Sequence, residues 1–145
     1  MVVIRVSQQI NQPQQQVWGS IADLSNHPTW MKDAVDIEFV TDQTSGVGTI
    51  INVETKVGPF RTKDVLEVID WKDGHHIVME HRGVVTGIGR LAALADGGVT
   101  LVTWTETLRF PWWLGGALTA WLARPVLRSI WRGNLRRLNS RLSSP

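Results

Sequence analysis

The sequence predicts an α+β domain: one antiparallel sheet closed by a long C-terminal helix. Three observations predict it. Between residues 36 and 110 apolar residues recur with a period of two, interrupted by short turns rich in glycine. From about 113 to 142 the period becomes helical. The chain has 145 residues, 43% of them hydrophobic and 19% charged, with no internal repeat and no low-complexity linker, so residues 1–145 read as a single domain.

The elements follow in order. Residues 2–7 read as a first strand. Pro13 fits the first position of a helix, with Val17, Trp18 and Ile21 on one face, fading near Ser25-Asn26. His27-Pro28 punctuates, and a short second helix is expected around Thr29–Ala34. Strands are expected at 36–41, 49–57, 60–70, 76–82, 84–94 and 99–110. The turns between them include Gly46-Val47-Gly48, Gly58-Pro59, Trp71-Lys72-Asp73-Gly74 and Asp96-Gly97-Gly98. Seven strands joined mostly by hairpins make an antiparallel sheet. In the last block, Pro125 predicts a kink or a fresh helix start, because proline removes a backbone donor and clashes with the preceding turn. Leu127, Ile130, Trp131, Leu135, Leu138 and Leu142 fall on one arc of that helix, with Asn134 among them. Arg128, Arg132 and Arg136 form a separate stripe.

Composition narrows the chemistry. With no cysteine there is no disulfide framework, thiolate nucleophile or zinc ribbon. Charge is divided unevenly. Residues 1–106 hold all 13 acidic and eight of the 15 basic residues, whereas 107–145 hold seven arginines and no acid, so the two segments carry −5 and +7. Such a basic tail suits an acidic partner, an anionic membrane or simply water. A nucleic-acid partner is not expected, since the arginines lack interleaved base-stacking aromatics. The 14 uncharged residues from Phe110 to Ala123 fall short of the roughly 20 that span a bilayer, so a cytoplasmic protein is expected. No metal is expected: His75 and His76 would point to opposite faces of a strand, with His27 and His81 distant. No cofactor is expected either. Gly87-Ile88-Gly89 opens no helix and reads as a bend or a close approach of backbone, not a dinucleotide fingerprint.

A curved sheet under one helix leaves part of its inner face unfilled, and a pocket is expected there. Strand parity names its candidate lining. On the last strand Val102, Trp104, Leu108 and Phe110 share one face, and Glu106 falls among them. A carboxylate on an inward face must be paired, hydrogen-bonded or protonated, unless a bulge turns it outward. If Ile77 and Met79 face inward, His81 does too. If Thr62, Leu66 and Val68 do, Asp64 follows, unless it ends its strand in solvent. Asp64, His81, Glu106 and Asn134 would then form one polar patch, with Glu106 and His81 the acid–base candidates. A one-residue slip would reverse any of these assignments. Trp30 borders the pocket or packs in the core. Phe110-Pro111-Trp112-Trp113-Leu114-Gly115-Gly116 reads first as a buried connection into the helix, and second as a lid or interfacial anchor.

Several of these pieces resemble the START-like, helix-grip superfamily, in particular its bacterial polyketide cyclase/dehydrase-type members. They are Pro13 to Val17-Trp18, Ile21-Ala22-Asp23-Leu24, Pro28-Thr29-Trp30, Gly46-Val47-Gly48-Thr49, Gly97-Gly98-Val99-Thr100 and Asn134-Leu135 to Leu138. The resemblance spans nearly the whole chain. It implies a curved seven-stranded sheet wrapped around the C-terminal helix over an apolar cavity. Its members bind lipids, hormones, quinones or polyketides, and some act as aromatase/cyclases without a universal catalytic motif. Three functional readings follow. The first is a small hydrophobic ligand (lipid, polyketide or quinone-like) bound by Trp30, Asp64, Met79, His81, Trp104, Glu106 and Asn134. The second is a cyclase or dehydratase working through Glu106 and His81. The third is a lipid-handling protein that docks on anionic membranes through its C-terminal helix.

Overall fold

The computed structural model describes residues 1–143. Strand β1 (Val2–Ile10) leads into helix α1 (Gln14–Ala22) and a 3-10 helix (Leu24–Thr29). Six strands follow: β2 (Ala34–Phe39), β3 (Ile50–Val57), β4 (Phe60–Lys72), β5 (His76–Arg82), β6 (Thr86–Asp96) and β7 (Val99–Arg109). A 3-10 turn (Trp112–Leu114) precedes helix α2 (Gly116–Ser143). The strands form one open antiparallel sheet in the order β1-β7-β6-β5-β4-β3-β2. Helix α2 packs mainly against β1 and β7.

Four local expectations are corrected. The second helix lies at Leu24–Thr29, not Thr29–Ala34. The buried His27 ring bonds to the Ile21 carbonyl oxygen (2.8 Å) and folds this segment back onto α1. Residues 30–33 are thereby released to run beneath α2. β1 continues to Ile10 because Gln8 and Gln9 pair with Val102 and Leu101 of β7, and pairing overrides their polarity. Of the two alternatives at Pro125, the fresh helix start is overturned: α2 runs continuously through it. Both Pro125 and Trp121, whose carbonyl loses its donor, are exposed, so water can satisfy that oxygen. Finally, the connection into α2 is not buried. Trp112 and Trp113 are 87% and 61% exposed, and Gly115 turns the chain with a φ of 93°.

The two ends of the sheet differ. At one end the β6–β7 turn, α1 and the C-terminus of α2 close together. There Thr100 donates to the Gln12 carbonyl (2.7 Å), Gln14 to the Ala93 carbonyl (2.7 Å) and Gln12 to the Leu142 carbonyl (3.0 Å). The β3–β4 and β5–β6 turns, the end of β7 and the start of α2 form the other end. The inner face between them is apolar. Ile4, Val6 and Ile10 come from β1, Val102, Trp104 and Leu108 from β7, and Trp131, Leu135 and Leu138 from α2. Among the described residues no helix is long and apolar enough to cross a membrane.

Candidate functional site

The site is built across three strands. In β7, Val102, Trp104, Glu106 and Leu108 are buried while the residues between them are more exposed, so Glu106 lies on the inner face at 5% exposure. His81 of β5 is two strands away, about 9–10 Å at ordinary strand spacing. The pair can still meet because β6, which runs between them, presents no side chain there. Gly87 pairs with His81 on one side and Leu108 on the other, and Gly89 pairs with Met79 and Glu106. A Cβ at Gly89 would lie 2.5–2.7 Å from the Glu106 carboxyl atoms. This is the close approach expected of the Gly87-Ile88-Gly89 run.

Both carboxylate oxygens of Glu106 are engaged. Oε1 accepts from the Trp104 indole N–H (2.9 Å), and Oε2 lies 2.8 Å from Nε2 of His81. Burial opposes a charge on His81. The Glu106 carboxylate beside it, the hydrogen bond between them and the charge of Asp64 outweigh that cost and hold the imidazole above its usual pKa range. Asp64 is half-buried, accepts from the Thr62 hydroxyl (3.1 Å), and its carboxylate occupies the space a side chain at Gly83 would need. His81 is less enclosed than its partner. With Glu80, Gly83, Thr86 and Gly87 it lines a depression of about 420 Å³ at the β5–β6 turn. One end of the ion pair therefore lies in the protein interior and the other faces an opening.

The remaining candidates separate. Met79 is half-buried on the inner face beside Gly89. Trp30, fully buried, meets Trp104 edge-on at 6.2 Å, and Trp104 stacks on Trp131 at 5.2 Å with 20° between planes. The indole N–H of Trp30 is buried without a hydrogen-bond partner among the described residues. Asn134 does not join the Glu106 patch. Its amide donates to Asp33 (2.6 Å), and its oxygen accepts from the Lys32 amide (3.1 Å) and from the Arg137 guanidinium. Trp131 donates to the other Asp33 oxygen (3.0 Å), and Arg137 reaches the Trp30 carbonyl (3.1 Å). Asn134 thus fastens residues 30–33 beneath α2.

Sequence reasoning misses three of these participants. Asp33 and Arg137 lie in charged, featureless surroundings, and nothing in their spacing singles them out. His27 carries no sequence signal that separates it from the other histidines. It is buried edge-on to Trp30 (5.2 Å), and desolvation, outweighing the Ile21 hydrogen bond and the charge of Asp23, lowers its pKa to about 4. His75 and His76 do not diverge: His75 precedes the strand, and the two Nδ1 atoms approach to 2.6 Å. Among the described residues no group of three or more His, Asp or Glu side chains converges as a metal site.

An open antiparallel sheet closed by a C-terminal helix, with short helices after the first strand, defines an α+β domain of helix-grip-like architecture. The model of the family described as polyketide cyclase / dehydrase and lipid transport matches residues 1–144, and the chain belongs to that family. Among solved structures it is similar to TTHA0849 from Thermus thermophilus, with a TM-score of 0.84 and 20% identity over 99% of this chain and 100% of that one. A conserved protein from Geobacillus kaustophilus gives a TM-score of 0.80 at 13% identity, covering 98% and 95%. The Zhui aromatase/cyclase from a Streptomyces species gives 0.69 at 16%, covering 97% and 90%. At these identities the likeness is one of fold. No curated protein matches the chain in sequence.

Proposed function

We propose that this protein binds a small hydrophobic molecule of the lipid, polyketide or quinone class between the sheet and α2. The His81–Glu106 pair would engage the ligand's polar group. The observation that carries this reading is the pair itself: an anion sunk into an apolar inner face and linked to an imidazole that borders an opening. An ion pair that only stabilised the fold would gain little over apolar side chains of the same volume. The partnerless Trp30 N–H adds a donor that a ligand oxygen would satisfy.

A second reading is supported by the raised pKa of His81. As a cyclase or dehydratase, the imidazolium would give its proton to a departing hydroxyl. As neutral imidazole it would then take up the proton released from the neighbouring carbon, with one water lost in sum. Glu106 would hold the ring and offset its charge.

Native mass spectrometry of the purified protein tests the first reading, together with titration by a naphthoquinone, a long-chain fatty acid and an anthraquinone. We expect at least one to bind, and Glu106→Gln and His81→Asn to weaken it. Unchanged affinity in both variants, or no binding by any probe and no co-purifying mass, would overturn it. Dehydration of a β-hydroxyketone probe tests the second: Glu106→Gln should retain the probe and lose turnover by roughly 10²–10⁴-fold.

A further inference from the structure

The outward face of α2 changes character halfway along. In the second half it carries Arg128, Arg132 and Arg136, as its helical periodicity predicts, and these border a shallow depression with Pro125 and Ser129. Among the described residues none of the three is in an ion pair. In the first half the same outward face is apolar: Leu118, Trp121, Leu122 and Val126 are all more than half exposed. Trp112 and Trp113 adjoin them in the preceding turn, and Phe60 and Val84 are exposed on the β3–β4 and β5–β6 turns at the same end of the sheet. Soluble surfaces seldom gather this many large apolar side chains without an occupant.

Charge identifies the occupant. Every acidic residue lies within residues 1–106, and 107–145 carry seven arginines and no acid. A surface that is apolar at its tip, tryptophan-rich and basic along its flank matches an anionic bilayer. Indoles favour the headgroup level, and arginines favour lipid phosphates. The acidic remainder of the chain would be repelled, which sets the orientation. We propose that this protein docks on anionic membranes through the first half of α2 and the Trp112–Leu114 turn, with Arg128, Arg132 and Arg136 against the headgroups. Docked so, the end of the sheet that carries the β5–β6 depression faces the lipid. The docking stands on surface residues alone and is independent of the inner-face ligand.

Sedimentation with vesicles tests it, using equal parts phosphatidylglycerol and phosphatidylcholine against pure phosphatidylcholine. The wild type should bind the anionic vesicles at about 50 mM salt and lose most binding at about 300 mM. The variant carrying Arg128→Gln, Arg132→Gln and Arg136→Gln should bind on the order of 100-fold more weakly, since each basic residue near such a surface is worth about fivefold. Acyl-chain-brominated lipid should quench the wild type but not a Trp112→Ser, Trp113→Ser, Trp121→Ser variant to the same extent. These residues are exposed, so unchanged melting curves would confirm that the variants fold. Absence of binding at low salt, or equal binding by the arginine variant, would overturn the proposal. So would a dimer in sedimentation equilibrium that the tryptophan substitutions dissociate, because a second copy would then be the occupant.

Discussion

The seam beneath α2 and the outward face of α2 are built from the same residue types and reach opposite outcomes. In the seam, Trp30, Trp104 and Trp131 pack ring on ring, and Asp33, Asn134 and Arg137 spend their polar atoms on one another and on the backbone. On the outward face and in the turn before it, Trp112, Trp113 and Trp121 stand in solvent, and among the described residues Arg128, Arg132 and Arg136 of α2 have no carboxylate beside them. The histidines divide the same way. His27 is sealed in, has no counter-charge in contact and is kept neutral. His81 borders an opening, has Glu106 in contact and has its pKa raised by that carboxylate against the cost of burial. The seam is finished by the fold, and the surface is left with capacity to bind.

The largest expected effect tests that division directly. Trp131→Ala removes the stack on Trp104 and the bond to Asp33, and should cost about 3–5 kcal/mol in urea unfolding. Trp121→Ala on the same helix should change stability by no more than about 0.5 kcal/mol. Similar losses at both positions would erase the distinction between the seam and the outward face.

The histidines sharpen it through pH. His27 has a folded pKa of about 4 against an ordinary value of 6.5, so the folded state binds fewer protons than the unfolded state between these values. Stability from His27 is full above pH 6.5 and is lost as pH falls toward 4, by roughly 3 kcal/mol at about 1.4 kcal/mol per unit. For His81 the sign reverses. Its contribution is full below pH 6.5 and is lost as pH rises through the raised folded value. Thermal melts from about pH 4 to about pH 9 should show a steep acid limb that His27→Gln flattens. Persistence of that limb in the variant would place the cause elsewhere.

A smaller effect isolates the His81–Glu106 pair. Gly89→Ala would drive a methyl group into the Glu106 carboxylate and should cost about 1–3 kcal/mol. With Glu106 displaced, the His81 ring should titrate closer to 6.5, as followed by NMR. A His81 titration unmoved by Gly89→Ala would mean that the ion pair tolerates the shift, and that the glycine serves only the backbone.

The fold was legible because its signals are local and repeated. A period of two from 36 to 110 and a helical period after 113 are properties of the chain itself, and parity alone places Glu106, Trp104, Met79 and His81 on one face. What α2 leaves exposed was not legible, because the arc of Leu127 to Leu142 marks a buried face but does not say where along the helix the partner ends. β1 and β7 set that limit, and beyond it Trp121 and Leu122 have nothing to pack against. The contact between His81 and Glu106 also needed the tertiary structure. It depends on the strand between them offering two glycines at one register, a relation among three distant segments that no spacing along the chain encodes. Asn134 shows the same limit. Its place on the buried arc follows from helical periodicity, but its partner Asp33 is about a hundred residues away, and only the packing of α2 over residues 30–33 brings the two together.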